Sequence, residues 1–177
     1  MKKCKPIALV SNARFSRGVT LIELLVVISV IGVLASIVYA LINPVAQLQK
    51  ARDAKRKSEL RQIQNALETY YNDNNKYPLS SNTYLIVGSS GNVGWGGRWD
   101  NYMTLPKDPL DPGRTYAYYS DGKSYYLYAS LERSGDAQAC TTSPCGSFTA
   151  HGMHANACGS TNAVCNYGVS SPNVSVN

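Results

Sequence analysis

The sequence predicts an α+β protein: a long N-terminal helix, transmembrane in its first half and amphipathic in its second, packed on a small antiparallel sheet and followed by a cysteine-rich loop tail. Three observations predict it. Val19 to Ile42 is a run of 24 residues in which Glu23 is the only charge. From Val45 to Tyr71 there is neither Gly nor Pro, and Leu60, Ile63, Leu67 and Tyr70 recur at spacings of three and four. Between Thr115 and Ala129, two tyrosine-rich runs flank an Asp121-Gly122 turn, the pattern of a hairpin.

The start of the chain is basic. Lys2, Lys3, Lys5, Arg14 and Arg17 precede Val19 with no acidic residue among them, whereas the rest holds 12 Lys and Arg against 11 Asp and Glu. The net charge of +6 is therefore an N-terminal address rather than a nucleic-acid surface. The apolar run is too long for a signal-peptide core, and Asn43-Pro44 follows it in place of an Ala-x-Ala cleavage site. At about 1.5 Å per residue it spans roughly 36 Å, enough for a hydrocarbon core of about 30 Å. A carboxylate inside such a span is costly and marks function. Basic residues flank both ends, so charge alone does not orient it.

The helix is expected to continue beyond the span, Pro44 kinking or loosening it, as one rod of about 54 residues and on the order of 80 Å. The run from Lys50 to Arg61 reads as a solvated helix face at the membrane edge, with Asp53–Lys57 and Lys55–Glu59 as helical pairs. DNA binding along this run is a minor reading. Tyr77-Pro78 is expected to end the helix.

The head then begins with a Gly- and Ser-rich loop from Ser80 to Met103, anchored on the helix by Trp95 and Trp99. The hairpin carries Tyr116, Tyr118 and Tyr119, then Tyr125, Tyr126 and Tyr128, and its apolar face is expected to cover the stripe of Leu60, Ile63, Leu67 and Tyr70. Tyrosine density also suggests stacking on carbohydrate or bases, but the inward-facing half reads as ordinary strand packing. In the tail, Cys140, Cys145, Cys158 and Cys165 sit among Ser, Thr, Asn and Gly. This is the mark of disulfides and an oxidising compartment, and it places the C-terminal side outside the membrane. Three connectivities are open, of which Cys140–Cys145 with Cys158–Cys165 is the simplest. Zinc held by these cysteines with His151 and His154 is disfavoured, because the spacings are loose for a zinc knuckle.

Arg17-Gly18-Val19-Thr20-Leu21-Ile22-Glu23-Leu24-Leu25-Val26-Val27-Ile28 resembles the processing and assembly motif of type IV pilins and pseudopilins. Val19 stands where that family most often has Phe. The resemblance implies a leader, residues 1–18, removed by a prepilin peptidase that cuts between Gly18 and Val19, followed by N-methylation of Val19. It implies that Glu23 serves subunit assembly by pairing with the amino terminus of Val19 on an adjacent subunit, and that Gly32 and Pro44 are flexible positions. Leu105 to Glu132 resembles the sheet of the major pseudopilin of type II secretion. Such pseudopilins often carry a calcium loop, which makes Asp108, Asp111 and Asp136 calcium candidates, although turn chemistry beside Pro109, Pro112 and Gly135 is the plainer reading. No other cofactor is implied.

The expected organisation is a leader (1–18), a filament-core helix (19–43), an amphipathic helix (44–76), a globular head (77–133) and a cysteine-rich tail (134–177). The expected function is that of a structural subunit of a type IV pilus-like extracellular filament. The alternative is a pseudopilin of a type II secretion or DNA-uptake system. The implied partners are copies of itself, prepilin peptidase, an inner-membrane assembly machine, and the cytoplasmic membrane before assembly, with the N-terminus in the cytoplasm. An enzyme or receptor on a simple anchor has no nucleophile–base–acid set to support it.

Overall fold

The computed structural model describes residues 18–154, 156–160 and 163–176. The expected leader, save Gly18, lies outside them. The chain divides into two units, the first ending at Asn43 and the second beginning at Pro44.

In the first unit, helix α1 (Leu21–Ile42) is capped by Thr20, whose side chain accepts a hydrogen bond from the Glu23 N–H at 3.3 Å. That cap satisfies one of the orphan donors of the first turn, and Glu23 lies where the helix dipole favours a negative charge. Ser29 and Ser36 return their hydroxyls to the carbonyls of Val26 and Val33, at 2.8 and 2.7 Å, so neither leaves an unmet donor in an apolar segment.

The helix does not run on. It stops at Ile42, Asn43 takes a left-handed conformation (φ 43°), and Pro44 opens a new helix, α2 (Pro44–Asn74). The expected single rod is thus two helices. Proline bars the preceding residue from the α region, Asn tolerates the left-handed one, and proline at a first helical position gives up a donor that would be orphaned anyway. The far end of α2 differs in the same way. Asn75 (φ 56°) ends it two residues before Tyr77-Pro78, while Asn74 caps the Tyr70 carbonyl at 3.0 Å.

In the second unit, Leu60, Ile63 and Leu67 of α2 are fully buried. They pack under a three-stranded antiparallel sheet, β5 (Ala117–Ser120), β6 (Tyr125–Ala129) and β7 (Tyr167–Ser170), in the order β5-β6-β7. Pairing of Ala117 with Tyr128 and Ser120 with Tyr125 leaves a four-residue turn, in which Asp121 accepts from the N–H groups of Lys123 and Ser124. The register sends Tyr125, Leu127 and Ala129 toward α2 and Tyr126 and Tyr128 to the opposite face. The segment read as one loop is two small ribbons: β1 (Ile86–Gly88) with β2 (Gly91–Val93), and β3 (Arg98–Trp99) with β4 (Met103–Thr104). Trp99 stacks on Tyr70 of α2 at 5.5 Å, and Trp95 meets Tyr116 edge-on at 5.4 Å.

The tail is more than loop. It pairs Cys140 with Cys145 and Cys158 with Cys165, forms a short helix α3 (Gly146–Ala150), and returns as β7 to close the outer edge of β6. Phe148, Met153 and the buried cysteines cover Tyr126 and Tyr128, so the sheet is buried on both faces rather than on the inward one alone. Asn166 joins the tail to the end of β6, accepting from the Leu131 N–H at 2.7 Å and donating to its carbonyl at 3.2 Å.

Candidate functional site

The N-terminal segment is a short extended stretch followed by an apolar helix. Gly18, Val19 and Thr20 precede the helix without helical structure, and Val19 is 72% exposed. A protease needs such an extended, accessible peptide, and an added Cβ at Gly18 would touch nothing within 4 Å. Behind it, the span Leu21–Tyr39 has a mean hydropathy of 2.8 and no buried residue. An apolar surface of that extent far exceeds what a free protein exposes, so lipid or other subunits must cover it. Glu23 is its single charge, one turn from Val19. Gly32 lies within unbroken helix with open space around it. Pro44, the other position expected to be flexible, is the first residue of α2, directly after left-handed Asn43.

The second unit holds a feature that the apolar pattern missed. The stripe of Leu60, Ile63 and Leu67 continues toward the start of α2 at the same pitch, through Arg56 and Asp53, and all are buried. Arg56 is fully buried. Its Nε and Nη2 meet Oδ2 and Oδ1 of Asp108 at 2.6 and 2.9 Å, and its Nη1 meets Asp53 and Glu132 at 2.8 Å each. Arg52 forks onto the same Glu132 at 2.7 and 2.6 Å. Asp53 in turn accepts from the backbone N–H groups of Glu132 and Arg133, at 2.9 and 3.1 Å. One turn on, Glu59 accepts the Tyr116 hydroxyl. Hydrogen bonds from Arg52 hold the Glu132 carboxyl down at about 2 against the opposing effect of burial, with Arg56 adding to them. Burial works against the Arg56 charge, yet its hydrogen bonds to Asp108 and Glu132 leave the guanidinium more firmly protonated than usual.

These contacts revise several readings. The run Lys50–Arg61 is only in part a solvated face: Arg52, Arg56 and Lys57 turn inward. Lys55–Glu59 forms at 3.7 Å, but Asp53 takes Arg56 in place of Lys57, and Lys57 takes Asp136 at 2.6 Å. Three of its six cations are thus engaged internally, while Lys50, Lys55 and Arg61 stay exposed. Each of the calcium candidates has a cationic partner. Asp108 is held by Arg56, Asp136 by Lys57, and Asp111 by Lys107 at 3.1 Å. Among the described residues, no three acidic, cysteine or histidine side chains gather as a metal site. His151 stacks on Tyr119 at 4.1 Å, and the four tail cysteines are spent in disulfides.

Comparison with known proteins converges on both regions. Residues 13–39 match the family model of the prokaryotic N-terminal methylation motif, and residues 43–141 that of type II secretion system protein G. The chain is 33% identical to type II secretion system core protein G of Vibrio cholerae over 112 residues, which cover 62% of this chain and 74% of that protein. It is 43% identical to the Escherichia coli core protein G over 65 residues, 37% of this chain and 43% of the relative. Against that of Aeromonas hydrophila it is 42% identical over 67 residues, 38% of this chain and 46% of the relative. The chain thus spans less than half the length of the latter two. No solved structure matches. The protein G match stops at residue 141, so α3, the second disulfide and β7 lie beyond it.

Proposed function

The chain belongs to the type II secretion system protein G family, and from that premise we propose that it is the structural subunit of a pilus-like helical filament, assembled through its N-terminal helix. The observation that carries this is α1: apolar nearly all round, exposed from Leu21 to Tyr39, and headed by Gly18-Val19 with Glu23 one turn on. In this reading the chain sits in the cytoplasmic membrane with its N-terminus inside. A prepilin peptidase removes residues 1–18 and methylates Val19, and an inner-membrane machine then transfers α1 from lipid to a core of packed copies. The role is structural, not catalytic.

The chemistry supports pairing of Glu23 with the new amino group. Near the membrane surface Glu23 reaches interfacial water; in a core of packed helices a carboxylate is tolerable only if paired. Apolar contacts alone would let subunits slide, whereas a charge pair fixes the register. That the relatives are type II secretion system core proteins favours a filament built on such a machine, and the disulfide-tied tail favours exposure outside the cell.

Intact-mass analysis of sheared or detergent-extracted filaments tests the proposal. The expected mature chain begins at Val19 and carries one methyl group. Assembled protein that retains the leader would overturn the processing step, and chains that never associate after correct processing would overturn the filament role.

A further inference from the structure

A cleft of about 1130 Å³ opens where α2 ends, between its last turn, the two small ribbons and the β5–β6 turn. We propose that this cleft binds a neutral oligosaccharide chain.

Its walls combine aromatic faces with short planar polar groups. Tyr71 is 38% exposed, and its ring is backed by Tyr77 at 4.7 Å. Tyr77 turns its own hydroxyl away to Glu68, at 3.1 Å. Tyr102 is held from behind by Trp99 at 5.0 Å and Tyr70 at 5.1 Å. Its hydroxyl is fixed as well, donating to Asp73 at 3.2 Å and accepting from Asn74 at 3.1 Å. Rings held this way lose little freedom when a ligand docks, which makes them efficient contact surfaces. A pyranose presents one face of C–H groups to the negative face of such a ring.

The rim supplies what the hydroxyls of a sugar need. Asn101 offers a carbonyl and an amide, and among the described residues its side chain takes no partner within the protein. Asp73 keeps a second oxygen beside the one bound by Tyr102. Vicinal hydroxyls match such carboxylate and amide pairs.

Charge argues against an anionic ligand. Asp73, Asp100 and Asp121 line the cleft against Lys76 and Lys123, so cations are not in excess, as phosphate or nucleic acid would require. The volume exceeds the roughly 300–1,000 Å³ of small-molecule pockets, which suits several sugar rings rather than one. The tyrosine density of the sequence thus has a use beyond strand packing at Tyr71 and Tyr102. Binding here does not depend on how the chain assembles.

The test titrates the full mature chain, in a detergent without a sugar head group, with chito-, cello-, malto- and manno-hexaose and with an acidic galacturonate hexamer. Calorimetry and saturation-transfer NMR read the binding. At least one neutral hexaose is expected to bind, and Tyr71→Ala and Asn101→Ala are each expected to weaken it about tenfold. Lys50→Ala, outside the cleft, should leave it unchanged. Circular dichroism checks the fold of each variant, and because Asn101 is exposed its variant stands even if Tyr71→Ala misfolds. Three results would overturn the proposal: no neutral hexaose binding at millimolar concentration, tighter binding of the acidic hexamer, or neutral binding that survives both alanine substitutions.

Discussion

Arg56 grips Asp108 through two parallel hydrogen bonds, at 2.6 and 2.9 Å, with both side chains fully buried. The pair joins α2 to the loop ahead of β5, 52 positions along the chain, and so sets how the helix seats under the sheet. Removing one partner strands the other charge in the interior, which typically costs about 3–5 kcal/mol. Arg56→Met and Asp108→Ala should each lower the unfolding free energy of the second unit by that order. Arg56→Lys should recover little of it, because a point charge cannot reproduce the fork. Chemical denaturation followed by near-ultraviolet circular dichroism measures this; an Arg56→Lys protein as stable as wild type would contradict it.

Glu132 gives the same joint an acid limit. Its carboxyl is held at about 2 in the folded chain, chiefly by Arg52 and further by Arg56, against an ordinary value of 4.5. A depressed carboxyl pKa means that the unfolded chain binds the proton more readily. The stabilisation is therefore complete above about pH 4.5 and fades as the pH falls through 2. In Glu132→Gln, stability should vary less over that window and be lower at neutral pH. Unfolding midpoints between pH 2 and 7 for the two proteins make the comparison.

The disulfides should matter through the strand that they hold. Cys140–Cys145 and Cys158–Cys165 close short loops, with sequence separations of 5 and 7, so each is expected to contribute near the low end of the usual range, about 2 kcal/mol. Position matters more than loop length. Gly159 sits just beyond Cys158 at φ 130°, where an added Cβ would lie 2.5 Å from the Gly113 carbonyl oxygen. Reduction should loosen this contact, release β7 from β6 and uncover Tyr126 and Tyr128. Limited proteolysis should then cut the tail of the reduced protein first, leaving residues ahead of Cys140 intact. Equal resistance before and after reduction would show that the tail holds without its cross-links.

The fold was legible in the sequence wherever one period ran long enough. The stripe from Leu60 to Tyr70 and the tyrosine hairpin are read directly, because each repeats over several turns or residues. The ionic joint was missed because only apolar residues were counted, although Asp53, Arg56, Leu60, Ile63 and Leu67 keep one spacing of three and four. A buried polar group is invisible to hydropathy until its partner is known, and Asp108 and Glu132 lie far along the chain. β7 escaped for a similar reason: four residues including Gly168 make no pattern, and what specifies them is the open edge of β6. The break at Asn43 shows the limit of local signals, since Pro44 announced a disturbance but the left-handed Asn decided its form.

Glu23 supplies the most direct test of assembly. It lies in the first turn of α1, four positions from Val19, in a span otherwise without charge. Glu23→Val makes that span more apolar, so insertion and cleavage should proceed at least as well as in the wild type. Assembly should not. If Glu23 of one subunit balances the amino group of Val19 on the next, its loss buries an uncompensated amine at each new contact. Such a cost recurs with each added subunit, so filament yield should fall at least about tenfold. Cleavage, membrane level and filament yield, measured together in one strain, separate the possibilities. Processed Glu23→Val protein that assembles normally would end the pairing model, whereas a fall in membrane level would place the role of Glu23 in insertion rather than assembly.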